Sequence, residues 1–210
     1  MSIEDQLRER WGWLQERLTA KGLLTNEAAS LSLRVPGSQT MWFGLATDPA
    51  PRQLAFSKAI KLARQHAAIY ALRGDVGAVA VGGGVFGNCL ADHGATMPQV
   101  FDEQARHLGP MGKASESVES SATVMHGHGN VLMVQNRPVC LGTTAMRLAL
   151  NAELFEKCAK AYVLAVAGGG RVRPLPWIVR LVANQRLSKD ERRAAESWCR
   201  GELPEEAKGY

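Results

Sequence analysis

Several protein classes are excluded by what this sequence lacks. Its four cysteines, Cys89, Cys140, Cys158 and Cys199, include no C-x-x-C pair, so neither a thiolate zinc motif nor a disulfide framework is expected, and reduced cytosolic thiols fit best. No apolar run reaches the roughly 18 residues needed to span a bilayer. Met1 to Arg10 alternates charges instead of building a signal-peptide core, and a soluble, cytoplasmic chain with no membrane partner is expected. Charge of one sign is not in large excess: 25 Lys and Arg against 20 Asp and Glu leave +5, too little for a nucleic-acid footprint. Internal repeats and low-complexity tracts are missing, and the composition excludes disorder, collagen and coiled coil. What is present is 46% hydrophobic residues in a chain of 210, enough to bury one sizeable core. There are also 21 glycines, bunched at Gly82-Gly83-Gly84 and Gly168-Gly169-Gly170; the first bunch suggests a site and the second a hinge.

Periodicity orders the elements. Ser2 and Asp5 form a capping box for an amphipathic helix carrying Leu7, Trp11, Leu14 and Leu18 and stopping near Gly22. Leu31, Leu33 and Val35 alternate with polar residues, Pro36-Gly37-Ser38 turns the chain, and Met41 to Phe43 completes a hairpin. The spacing of Phe56, Ile60, Ala63, Ala67 and Tyr70 predicts a helix over Leu54 to Leu72. Val76 to Val81 is short, Val-rich and ends at glycines, as a central strand does. Short helices are expected over Val85 to Ala91 and Val100 to Leu108, then a Ser-rich loop to Ser121. A three-stranded meander is expected over Ala122 to Met125, Val131 to Val134 and Val139 to Leu141. Thr143 or Thr144 caps a long helix with Leu148, Ala152, Phe155, Ala159 and Tyr162 on one face, ended by Gly168. From Arg171 the chain carries nine Lys and Arg against six Asp and Glu, with a helix over Ile178 to Leu187 and a new capping box at Ser188 and Glu191. This divides the chain into a domain over 1–167 and a helical arm over 168–210. The mixture of antiparallel strands and intervening helices favours an α/β or α+β three-layer sandwich.

Two patterns carry chemistry. Gly82, Gly84 and Gly87 satisfy G-x-G-x-x-G after a strand, which would suit a phosphate at a helix N-terminus. The acidic residues about 20 positions on, Asp102 and Glu103, follow no strand, so a tight strand-to-helix turn is the better reading. His126 and His128 lie two residues apart between strand-like runs, a spacing that puts both imidazoles on one side and near enough to share a metal. A catalytic zinc normally has three protein ligands, and the candidate third ligands are His93, Cys89 and Asp92. His66 and Tyr70 sit one turn apart on an apolar helix, where a histidine is a satisfied core residue.

His66-Ala67-Ala68-Ile69-Tyr70-Ala71-Leu72-Arg73-Gly74-Asp75-Val76-Gly77-Ala78-Val79 is followed in order by Leu90-Ala91, Gly94, Pro98, His128-Gly129, Val131 to Val134, Gly142 and Glu156 to Ala159. In this order and spacing the chain resembles the class II aldolase/adducin family from about Leu7 to Ala165. The resemblance implies a three-layer α/β/α sandwich with a mostly antiparallel central sheet, commonly assembled as a tetramer with sites between subunits. It also implies a divalent, zinc-like metal held by an H-x-H pair and a later histidine, with a glutamate as base.

This chain departs from that pattern at the chemistry. The H-x-H positions are Val81 and Gly83, the following proline is Gly84, and the glutamate four residues before His66 is Leu62. The phosphate-binding stretches are Ala29-Ser30 and Trp42-Phe43-Gly44. Only His128 matches a metal position, joined by His126 as a possible ligand. The expectation is a remodelled, metal-poor pocket with Trp42, Phe43, Leu62 and Val81 as an apolar rim, Gly82, Gly83 and Gly84 as a flexible floor, and His93 nearby. His126 and His128 would be catalytic, in a lyase acting on a small oxo- or aromatic carboxylic acid. The alternative is a non-catalytic, adducin-like interaction protein or a partner subunit of a hetero-oligomer. Expected partners are a small-molecule ligand and other subunits.

Overall fold

The computed structural model describes residues 2–94, 96–121 and 129–206. Among these, six strands form one antiparallel sheet: β1 (Ser30–Arg34), β2 (Thr40–Leu45), β3 (Arg52–Ala55), β4 (Ala78–Val81), β5 (Val131–Val134) and β6 (Arg137–Gly142). Their order across the sheet is β3-β2-β1-β4-β6-β5. The helices are α1 (Ile3–Ala20), α2 (Leu62–Leu72), α3 (Val85–Asp92), α4 (Asp102–His107), α5 (Ala145–Ala167) and α6 (Trp177–Cys199).

Alternation along the strands sends side chains into two separate cores, one on each face of the sheet. Leu31, Leu33, Trp42, Ala78, Ala80, Val131 and Cys140 join residues of α1, α3 and α5 in the first. Met41, Phe43, Val79, Val81, Val139 and Leu141 join α2 in the second. Helices on both faces of an antiparallel sheet make the expected three layers. The Trp11 ring, fully buried, anchors α1: its Nε1–H donates to the Leu31 carbonyl at 3.2 Å, and the ring lies so close to Gly44 that a side chain there would collide with it. Burying such a side chain contributes about 1.5–3 kcal/mol, and the hydrogen bond removes the cost of its one polar group.

Helix ends follow the expected chemistry. Ser2 and Asp5 form the capping box of α1. The Thr144 hydroxyl accepts from the Arg147 amide at 3.1 Å to start α5. At the far end, the amides of Gly168, Gly169 and Gly170 donate back to the carbonyls of Leu164, Val166 and Ala165, and Gly169 adopts φ +73°, the left-handed conformation that closes many helices.

Two expected helices differ. The start of the helix predicted over Leu54 to Leu72 is instead strand β3 followed by a 3-10 turn, Phe56–Lys58. Pairing with β2, in which Thr40 faces Ala55 and Phe43 faces Arg52, outweighs a helical spacing that Phe56 satisfies by stacking on Tyr70 at 5.5 Å. Near the C-terminal end, the expected break at Ser188 is absent and α6 runs unbroken. The Glu191 carboxylate, which would have capped a new helix, bonds Arg73 at 3.3 Å instead.

That contact seats α6 on the sheet domain. Arg73 is 4% exposed, grips Asp75 with two bonds of 2.7 Å and donates to the Gly129 carbonyl at 2.9 Å. A buried cation needs this many acceptors to offset its lost hydration. Farther along α6, Trp198 sits on Gly77 so closely that no side chain fits between them. The guanidinium of Arg34 lies 5.8 Å from its ring. The segment expected as an arm is thus packed through Ala183, Leu187, Ala194 and Trp198, while Trp177, Ile178, Leu181 and Val182 at its start stay exposed.

Candidate functional site

Strand β4 ends at Val81 and the chain turns through the glycine triplet into α3. Gly82 takes φ +142° with Ala29 Cβ 3.3 Å from where a side chain would start, a backbone state that excludes other residues. The Gly83 carbonyl accepts from Thr25 Oγ1 at 2.9 Å and from Asn88 Nδ2 at 3.2 Å. A side chain at Gly83 would begin 2.9 Å from the Pro138 ring and 3.0 Å from Asn88 Oδ1. The space expected to be vacated there is taken by Pro138 and Asn88.

The first amides of α3 are taken as well. Glu156, on α5, accepts from Phe86 N at 2.8 Å through Oε1 and from Gly87 N at 2.9 Å through Oε2. A side chain at Gly84 would run into this carboxylate, with Oε1 only 2.6 Å away, and one at Gly87 would meet the Phe155 ring at 2.7 Å. The G-x-G-x-x-G spacing therefore does mark a backbone that comes close to an anion at a helix N-terminus. The anion belongs to the chain itself.

Across the sheet, His66 is wholly buried between two serines, with Nε2 2.9 Å from Ser30 Oγ and Nδ1 2.7 Å from Ser32 Oγ. Ser32 Oγ also lies 2.7 Å from Tyr70 Oη, which donates to the Ser32 carbonyl at 3.0 Å. One proton assignment satisfies all four contacts: Tyr70 donates to the carbonyl, Ser32 donates to Tyr70, His66 Nδ1–H donates to Ser32, and Ser30 donates to Nε2. Burial lowers the imidazole pKa from its usual 6.5 to about 3 and raises that of the Tyr70 phenol. His66 is thus the satisfied core histidine expected from its helix, neutral and with both nitrogens engaged.

The expected rim residues are distributed by the pleat. Trp42 faces the α1 side, with the Arg8 guanidinium 5.5 Å from its ring. Phe43 faces the α2 side, edge-on to His66 at 5.1 Å. Adjacent strand residues point to opposite faces, so these two rings line no common wall; Leu62 and Val81 share the face of Phe43. His93 caps the far end of α3, exposed, its Nδ1–H donating to the Cys89 carbonyl at 2.9 Å. His126 and His128 lie outside the described residues.

Metal binding can be judged from the donors at the positions in question. Val81 is packed in the core and Gly83 has no side chain, so neither can ligate. Among the described residues no group of three His, Cys, Asp or Glu could hold an ion. Among the described residues, Val81 and Gly83 therefore do not supply the H-x-H pair that the resemblance implies. Burial also pushes the Cys140 and Cys158 thiols up to about 12, which leaves them inert as nucleophiles.

At the level of sequence, no family model and no curated protein matches the chain. Solved structures do. YgbL from Klebsiella pneumoniae, to which an aldolase, epimerase or decarboxylase role is ascribed, superposes with TM-score 0.73 over 87% of this chain and 100% of its own, at 16% identity. The fold is that of the class II aldolases. L-fuculose 1-phosphate aldolase from Glaciozyma antarctica PI12 gives TM-score 0.67 over 96% of this chain and 92% of its own, also at 16% identity. An aldolase II superfamily protein from Pseudomonas syringae gives 0.65 over 95% and 93% at 14% identity. These matches cover 87–96% of this chain and 92–100% of theirs, so the class II aldolase fold extends over most of the chain. Glu156, Asn88, Thr25 and Pro138 were not singled out as site residues by sequence reasoning. The only signal was that Glu156 opens one of the blocks carrying the resemblance.

Among the described residues no helix is long and apolar enough to cross a membrane. A groove of about 440 Å³ lies between α4 and α6, walled by Asp102, Arg106, Ile178, Val182 and Arg186. A second cavity of about 620 Å³ runs beside the C-terminal tail, walled in part by Thr143, Arg193, Arg200 and Glu206. Neither is lined by the glycine turn.

Proposed function

We propose that the chain is a divergent lyase on the class II aldolase fold, cleaving or decarboxylating a small oxo- or aromatic carboxylic acid at a metal-poor site. The supporting observation is the pairing of a fold-wide likeness to aldolase-type structures with a turn at Gly82 to Gly84 that offers no metal ligand. Such a combination favours a smaller, less phosphorylated ligand than a sugar phosphate. When a carboxyl-bearing carbon–carbon bond breaks, its electron pair moves toward a neighbouring carbonyl, whose oxygen needs a hydrogen-bond donor, and the resulting enol carbon then takes up a proton. With Leu62 in place of the base, His128 is assigned to the donor role and His126 to the proton transfer. No step is assigned to a metal.

The test is release of carbon dioxide or aldehyde from a panel of small 3-oxo, 4-hydroxy-2-oxo and aromatic carboxylic acids by the purified chain, with metal content measured on the same sample. Turnover of one panel member that falls by about a hundredfold or more in His128→Ala supports the reading, since a proton-handling side chain typically contributes that much. No release from any member by the wild-type protein overturns it.

The second reading is a non-catalytic subunit or interaction protein. It is favoured by the filled glycine turn and by the exposed apolar start of α6 at Trp177, Ile178, Leu181 and Val182, since such patches mark contact surfaces. A native mass above that of the monomer, without turnover, would favour it.

A further inference from the structure

The groove between α4 and α6 is apart from the glycine turn and has the parts of a ligand site. Along α6, Val179, Val182, Ala183 and Arg186 fall at i, i+3, i+4 and i+7, a stripe on one helix face. This stripe gives the groove an aliphatic wall that ends in a guanidinium. Asp102 and Arg106, one turn apart on α4, stand across from it. Two side-chain bonds tie the walls together: Arg106 Nη2–H donates to Asp190 Oδ2 at 2.6 Å, and Gln99 Nε2–H donates to Asn184 Oδ1 at 2.9 Å. The volume of about 440 Å³ falls in the range of small-molecule pockets.

One polar atom of this wall has no partner. Arg106 Nη1 is buried and makes no hydrogen bond, although Nη2 of the same guanidinium is held by Asp190. A buried donor left unpaired is costly, and an acceptor oxygen seated against the Arg106 guanidinium removes that cost. The charge balance narrows the acceptor. Asp190 is shared between Arg106 and Arg193, so with Arg186 three guanidiniums stand against two carboxylates, Asp190 and Asp102, and one positive charge is left over. The stretch from Arg171 to Arg186 contains no Asp or Glu to take it up.

We propose that this groove binds a small monocarboxylate with an apolar body, its carboxylate on Arg106 and Arg186 and its body along Val179 and Val182. A single surplus charge matches one carboxylate, and Asp102 disfavours a dianion such as phosphate. The inference goes beyond the lyase reading and does not rest on it.

The experiment titrates phenylacetate, its neutral counterpart phenylacetamide and inorganic phosphate into the full-length protein, following the backbone amide resonances of Val179, Val182 and Ala183. Phenylacetate should shift them saturably. Phenylacetamide, which lacks the charge, and phosphate, which lacks the apolar body, should each bind about tenfold or more weakly. Arg106→Gln should weaken phenylacetate by a similar factor, and Arg186→Gln by less, because Arg186 is exposed. Since Arg106→Gln also loses the Asp190 bond, Val182→Glu is the second variant: Val182 is exposed, and a carboxylate there should abolish binding while the fold is kept. No saturable shift in wild type, equal binding of acid and amide, or unchanged affinity in Val182→Glu overturns the proposal. So does a native mass above the monomer that Val182→Glu reduces, with no phenylacetate shift, which assigns the groove to a second copy. The turnover panel remains separate. Phenylacetate binding without turnover of any panel member would leave the groove's role standing and remove the lyase, and turnover without binding would do the reverse.

Discussion

The two glycine triplets are the same tripeptide put to opposite uses. At Gly82 to Gly84 the glycines are small because other groups press on them: Ala29 at the first, Pro138 and Asn88 at the second, the Glu156 carboxylate at the third. At Gly168 to Gly170 they are exposed, Gly169 has nothing within 4 Å, and what is used is backbone freedom at the end of α5. A glycine count alone cannot separate these uses, because one depends on atoms brought from elsewhere in the chain and the other on local dihedral angles. The difference predicts unequal sensitivity to substitution and to pH.

The largest expected effect is acid sensitivity on the first triplet's side of the molecule. Burial holds His66, bonded to Ser30, the register partner of Val81, neutral, with a folded pKa of about 3 against an ordinary 6.5. Because the unfolded chain takes up the proton first, stability is intact above pH 6.5 and is lost as the pH falls toward 3. The total loss is on the order of 5 kcal/mol. Urea midpoints measured across this range should fall steeply for wild type and less steeply for His66→Gln; parallel curves would remove His66 as the cause. His107, lowered to about 4 by burial and by Arg147 and Arg106, acts in the same direction and should keep some slope in the variant.

Next in size is Gly84→Ala. The new methyl group displaces the Glu156 carboxylate from both amides, which should cost about 2–4 kcal/mol by chemical denaturation. A cost below 1 kcal/mol would mean that the turn yields, and that the first triplet is as permissive as the second. The smallest effect is Gly169→Ala, which meets no atom but must adopt φ +73°, for about 1 kcal/mol. Gly169→Asn should cost less, because asparagine tolerates that conformation. An equal penalty for both would indicate packing instead of dihedral strain.

Where the cause of a feature was local, it could be read from the sequence. The Ser2–Asp5 box, the Thr144 cap, the β1–β2 hairpin and the glycine stop of α5 each depend on residues a few positions apart. Features with distant partners could not be read this way. Phe56 fits a helical spacing, yet it lies beside strand β3 because Tyr70 stacks on it. Ser188 and Glu191 read as a helix start until Arg73, more than a hundred residues earlier, claims the carboxylate. Trp42 and Phe43 looked like one rim because they are adjacent, and the strand pleat separates them. Glu156 was hidden for the same reason: its partners are on α3, and no spacing rule connects α5 to them.

Strand β4 gives the sheet very little freedom to slip. It has only four residues, yet it pairs with β1 on one side and β6 on the other, joining the β1–β2–β3 half to the β5–β6 half. Its alanines, Ala78 and Ala80, face the crowded layer of α1 and α5, and its valines, Val79 and Val81, face α2. A shift of one residue would exchange the two sets and push branched side chains into the tighter layer. This alternation of small and large side chains selects one alignment for all six strands, and two residue types repeated twice are enough to encode it.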